Sequence, residues 1–266
     1  MSFQEEFLNL RGTKIQLLKG GSGDPLLYLH STGGEVVWLP LFKRLSQHFT
    51  VYLPAHPGLS HSEGLEKIDT MEDLVFHYTD LMDHLGLTRP CVAGLSLGGW
   101  LAAELATRYA NRIRKLALIN AVGLRVPGAP IADIFAATPE ETRNLVFHDP
   151  QSDLAKMFVP DVPSPEVLEN TLKAREATAR VGWNPYLCNP KLRDRLYRIT
   201  VPTLIIWGES DRLVPSTHGR AYHERIAGSQ LVILEKCGHA PPFEKPEETA
   251  KVLVEFFRKL VSEPRP

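Results

Sequence analysis

Residues 91–102, CVAGLSLGGWLA, set an apolar, strand-like run directly against a small-residue run with helical character, and no linker lies between them. Only a very tight turn can join two such elements. Glycine weakens regular structure, so its concentration at Gly94, Gly98 and Gly99 needs a reason; clearance for neighbouring backbone supplies one. Gly94-Leu95-Ser96-Leu97-Gly98 is a G-x-S-x-G pattern in strand-to-helix context. It predicts a strained turn that pushes the Ser96 hydroxyl out from a sheet edge. The same turn leaves the Leu97 N–H in the first helical turn, unpaired and able to donate to an oxyanion.

The rest of the chain supplies the sheet. FLNL and KIQLLK, separated by Arg11 and Gly12, read as a hairpin, and PLLYLH and FTVYLP as further strands. Strand and helix then alternate. TMEDLVFHYTDLMDHLG is an amphipathic helix with Leu74, Tyr78, Leu81, Met82 and Leu85 on one face, a Thr70–Asp73 start and a Gly86 stop. KLALIN, TLIIWGE and SQLVILEK follow as apolar strands, and a last helix opens at Pro246, with Glu247 and Glu248 at its start and Arg258 and Lys259 near its end. Fully apolar strands alternating with helices predict an α/β architecture, a mostly parallel sheet covered on both faces.

From about Val122 to Ile199 the alternation stops. This stretch is proline-rich, offers no strand, and has helix starts at Thr138-Pro139-Glu140-Glu141 and Ser164-Pro165-Glu166. A helical insertion is expected.

A serine hydroxyl is a weak nucleophile at neutral pH, so Ser96 needs a histidine base and a carboxylate to orient that base. GESDRLVP places Asp211 in the loop after one strand, and CGHAPPFEKPEE places His239 in the loop after the next. Loops at the carboxyl ends of parallel strands are where open α/β sheets build their sites. Ser96, Asp211 and His239 are therefore the expected catalytic residues. A second oxyanion donor is expected from LYLHSTGGEVVW, with Thr32 as the donor and Gly33 as the alternative.

Together these segments resemble the α/β-hydrolase superfamily, in the branch with a helical cap inserted between two halves of the core. The resemblance runs through His30 to Trp38, PAHPGLSHS, GLSLGG, GESDRLVP and CGHAPPFEKPEE. It implies a core of residues 1–122 and 199–266 and a cap of residues 123–198. Three departures stand out. Ser31 occupies a usual glycine position, and Ala55 and Ser60 replace the usual Asp and second Gly of the following loop, a change bearing on packing more than chemistry. The resemblance extends to carbon–carbon bond hydrolases of aromatic degradation, but they commonly carry a tryptophan just after the catalytic histidine, where this chain has Ala240-Pro241-Pro242.

The expected activity is hydrolysis of a small carboxylic ester or lactone through an acyl-enzyme. Two alternatives are a C–C hydrolase acting on a vinylogous diketone and a small-molecule receptor with little turnover. Lys+Arg 30 against Asp+Glu 31 disfavours nucleic acid or an anionic membrane as partner and fits a small neutral substrate. Neither a metal nor an organic cofactor is expected, since Cys91, Cys188 and Cys237 lack metal-site spacing and read as buried, inert thiols. With an acidic N-terminal stretch and no membrane-length apolar run, a cytoplasmic protein is expected. His30, Trp38, Trp183 and Tyr186 are expected to line the substrate pocket, with Trp100, His56 and His61 as weaker candidates, and Arg175 and Arg180 are expected on a solvated helix face.

Overall fold

The computed structural model describes residues 2–34 and 36–259. The chain opens with strands β1 (Phe3–Leu10) and β2 (Thr13–Gly20), paired antiparallel. Arg11 and Gly12 both take positive φ, 51° and 82°, the conformation that matches a two-residue turn to strand twist. Next come β3 (Asp24–Leu29), helix α1 (Pro40–Leu45), β4 (Phe49–Pro54), α2 (Met71–His84), β5 (Cys91–Leu95), α3 (Leu97–Tyr109) and β6 (Lys115–Ile119). Helices α4 (Pro139–Val146), α5 (Asp153–Phe158) and α6 (Pro165–Gly182) follow without an intervening strand. The chain then returns through β7 (Thr203–Gly208), α7 (Thr217–Arg225), β8 (Gln230–Leu234), α8 (Pro241–Glu244) and α9 (Pro246–Arg258).

The eight strands form one sheet in the order β1-β2-β4-β3-β5-β6-β7-β8. Only β2 runs antiparallel to both its neighbours; every pairing from β4 to β8 is parallel. Consecutive strand residues point to opposite faces. On β7, Ile205 and Trp207 join a core with α2, α3 and α7, whereas Leu204 and Ile206 join a second core with α1 and α9. That two-sided burial explains why these strands read as apolar throughout. Each fully buried leucine or isoleucine contributes about 1.5–3 kcal/mol of transfer free energy.

The helix starts are sealed as expected. Thr70 and Asp73 form a reciprocal capping box on α2, Thr138 and Glu141 form another on α4, and Ser164 caps α6. Ser152 caps α5 in the same way, whereas α1, α7 and α8, none longer than 9 residues, have no side-chain cap. Helices this short depend on tertiary packing more than on intrinsic propensity.

Just after β6, the start of the inserted segment is tied to the stretch that follows α6. Gly123 N–H donates to Leu187 O at 2.9 Å and Asn189 N–H to Gly123 O at 3.0 Å. The three cysteines are buried and unbridged. Among the described residues, no helix is long and apolar enough to cross a membrane.

Candidate active site

Ser96 sits at the junction of β5 and α3 with φ 54° and ψ −112°, a conformation costly for any residue with a side chain. Close packing holds it there. A Cβ at Gly94 would collide with the Gly98 carbonyl, and one at Gly98 would collide with the carbonyls of Leu29 and His30 at the end of β3. The two flanking glycines thus let β3, β5 and α3 approach one another at backbone distance.

Asp211 and His239 come from the loops after β7 and β8. Asp211 Oδ1 accepts from the backbone N–H groups of Leu213 (3.0 Å) and Val214 (2.8 Å), which pins the carboxylate in its own turn. Its Oδ2 lies 2.7 Å from His239 Nδ1, and His239 Nε2 lies 2.9 Å from Ser96 Oγ. With Nδ1 facing a carboxylate, Nδ1 carries the ring proton and Nε2 presents its lone pair to the serine hydroxyl. All three residues are buried, so water competes little for these bonds.

The structure adds groups around this chain that the sequence did not single out. Asn120, at the end of β6 with φ 43°, donates Nδ2 to Asp211 Oδ2 at 2.6 Å, and its Oδ1 accepts from Gly208 N–H. His239 N–H donates to Val146 O at 2.6 Å, joining the histidine loop to the inserted segment. Glu244 accepts from the backbone of both Gly238 and His148, each at 2.7 Å, and strengthens that junction. Burial pushes its carboxyl above the usual range. A terminal asparagine in an apolar strand was the only available hint of Asn120's role.

On the opposite side of Ser96 lies the loop after β3. Gly33 N–H donates to Ser31 Oγ at 3.1 Å, and Thr32 and Gly33 both line the cavity over Ser96. Ser60, which the resemblance set at a usual glycine position, takes a glycine-like conformation with φ 51°.

A cavity of about 600 Å³ opens over Ser96 and His239. Its floor includes Thr32 and Gly33, and its roof comes from the inserted segment, with Phe147, Phe158 and Val159 among the apolar groups. Four expected pocket residues lie outside its lining. His30 is buried behind the loop, bonded to Ser31 O and to the His56 N–H. Trp38 stacks on Phe3 with ring centroids 5.0 Å apart, because the β1–β2 hairpin covers it. Trp183 is 64% exposed at the end of α6, against Phe135. Tyr186 spends its hydroxyl on the backbone of Ala132 and Ile134, so it fastens the inserted segment. Trp100 is equally structural, donating to Glu104.

The weaker candidates divide. His56 is buried against Tyr78, and His61 packs beside Phe7. Arg175 is exposed yet borders the cavity, while Arg180 pairs with Asp69 and Glu176. Among the described residues, no group of three or more His, Cys, Asp or Glu side chains is arranged to hold a metal ion.

The alpha/beta hydrolase family model matches residues 15–252. A 2-hydroxy-6-oxo-6-phenylhexa-2,4-dienoate hydrolase of Comamonas testosteroni is 26% identical over 275 residues, spanning 92% of this chain and 91% of the relative. The enol-lactonase of Burkholderia xenovorans LB400 superposes with a TM-score of 0.76 at 25% identity, covering 95% of this chain and 99% of the other. The 2-hydroxy-6-oxo-6-phenylhexa-2,4-dienoate hydrolase of Rhodococcus sp. strain RHA1 shares the fold, with a TM-score of 0.79 at 23% identity over 97% and 99% of the two chains.

Proposed function

For a chain that belongs to the alpha/beta hydrolase family, we propose hydrolysis of a small carboxylic ester or lactone by a Ser96–His239–Asp211 triad. The observation that carries this reading is the position of one imidazole, 2.9 Å from the serine hydroxyl and 2.7 Å from the carboxylate. Ser96 Oγ adds to the substrate carbonyl carbon as its proton passes to His239 Nε2. Asp211 holds the ring in the required tautomer and stabilises the imidazolium. The tetrahedral oxyanion accepts from the N–H groups of Leu97 and Thr32, and losing one such donor costs about 100- to 1000-fold in rate.

Collapse breaks the bond to the leaving oxygen, which takes the proton from His239 Nε2. In a lactone that oxygen stays tethered to the acyl group. Water then gives a proton to His239 and adds to the acyl carbon, and Ser96 leaves with the proton restored. The roughly 600 Å³ cavity suits a small ligand, and its mostly apolar lining fits a substrate with limited polar surface.

A second reading, cleavage of a carbon–carbon bond in a vinylogous diketone, draws support from the activity in the names of the Comamonas relatives. Ala240, directly after His239, takes the place of the tryptophan common in such enzymes, which favours the ester or lactone.

One panel separates the readings: purified protein and its Ser96→Ala variant, assayed on esters of graded chain length, small lactones and vinylogous diketones. Ester or lactone turnover that depends on Ser96 and exceeds diketone turnover supports the main reading; the reverse order favours the second. A phosphonate that labels Ser96 without turnover of any substrate would reject both and point to a receptor.

A further inference from the structure

The His30 and His56 rings lie tilted against each other, with centroids 3.8 Å apart, directly behind the loop that carries Thr32. Both are buried, 2% exposed each, and every polar atom of the two rings has a partner. Those partners fix the protons. The His56 backbone N–H points at His30 Nε2 (2.9 Å), so that nitrogen is a lone pair and His30 Nδ1 donates to Ser31 O at 2.8 Å. The His30 carbonyl lies 2.9 Å from His56 Nε2, so that nitrogen carries the proton and donates. His56 Nδ1 is then an acceptor, and the Tyr78 hydroxyl donates to it at 2.6 Å.

The His30 carbonyl is therefore gripped on two sides. His56 bonds it from one side, and Gly98, two residues past Ser96, packs so closely against it from the other that no Cβ would fit. Thr32 follows two residues later in the same loop. A shift of this carbonyl would move the Thr32 amide relative to Ser96, and misplacement of about 1 Å in a reacting group can cost on the order of 100-fold in rate.

We propose that His56 is a positioning residue for the oxyanion-binding loop: its imidazole N–H holds the His30 carbonyl and so sets where the Thr32 amide sits relative to Ser96. This rests on the reading of Thr32 as an oxyanion donor. Tyr78, on α2, completes the device by selecting the His56 tautomer with the proton on Nε2. A histidine here links three elements of the core, the ends of β3 and β4 and the middle of α2, to one amide in the site.

The test compares His56→Leu, His56→Gln and Tyr78→Phe on a short-chain p-nitrophenyl ester. Glutamine can place an N–H near the position of His56 Nε2; leucine cannot. In folded His56→Leu, kcat is expected to fall about 10- to 100-fold with KM within about twofold, because the lost interaction acts on the transition state. His56→Gln is expected to recover most of the loss. Unchanged kcat in folded His56→Leu, or an equal loss in both His56 variants, overturns the proposal. If His56→Leu does not fold, judged by near-ultraviolet circular dichroism, Tyr78→Phe decides: lower kcat at constant KM supports the proposal, and unchanged kcat overturns it. Phosphonate labelling of wild type runs alongside. Failure to label Ser96 rejects the serine mechanism itself, whereas normal labelling with unaffected variants rejects only the role of His56.

Discussion

Asn120 donates its side-chain amide to Asp211 Oδ2 across 2.6 Å, although 91 residues separate them in sequence. With Leu213 N–H, Val214 N–H and His239 Nδ1–H, this gives the Asp211 carboxylate four donors. Asn120→Ala removes one donor, leaves Gly208 N–H without its side-chain acceptor, and puts alanine at φ 43°. We expect a loss of about 1–3 kcal/mol in stability, together with lower kcat, as the carboxylate gains freedom to turn away from His239. Urea unfolding and steady-state kinetics on the same preparation check both.

Ser96→Ala is expected to lower turnover by about 10⁶-fold, as in triads that act as a unit. Stability should change little or rise, since the substitution leaves the packing intact. A stopped-flow burst with an activated ester, present in wild type and absent in the variant, gives the direct measurement.

Gly98→Ala tests the close approach of α3 to the end of β3. The new Cβ would overlap the Leu29 and His30 carbonyl oxygens, so the helix and the oxyanion loop must separate. Overpacking of this kind costs about 1–3 kcal/mol. Thermal unfolding is expected to shift downward and kcat to fall with it. Alanine at the exposed turn glycine Gly128, where an added Cβ meets nothing within 4 Å but φ is 77°, serves as a control for backbone strain alone.

The buried histidines make stability acid-sensitive. Burial lowers His30 well below the usual imidazole value, with the neighbouring His56 adding to the effect, and burial lowers His56 to about 4. His77 is lowered as well, by burial and by His56. These rings stay neutral in the folded protein while the unfolded chain takes up protons below about pH 6.5, so stability falls as pH drops from 6.5 toward 4. For His56 alone the loss between pH 7 and pH 5 is about 2 kcal/mol. Urea midpoints measured at pH 7, 6 and 5 are expected to decline, and His56→Gln is expected to flatten the decline.

What the sequence by itself determined is the part governed by local stereochemistry. A strand that meets a helix without a linker must turn sharply, so Gly94 and Gly98 marked Ser96 as the residue at the turn. Thr70, Thr138 and Ser164 announced helix starts through bonds that span three residues. Asp211 and His239 were legible because each follows an apolar strand in a parallel sheet, where loops converge on one rim.

Tertiary structure decided where each remaining side chain is used. Trp38, Trp183, Tyr186 and His30 had the chemistry of pocket residues, yet each is held elsewhere by a partner distant in sequence or, for Trp183, turned to solvent. Asn120 looked like the last residue of a strand until the fold brought Asp211 to it. The physical reason is range: turns and caps are fixed by atoms a few residues apart, whereas the tenant of a cavity or a buried hydrogen bond is chosen by packing among segments that meet only when the whole sheet has formed.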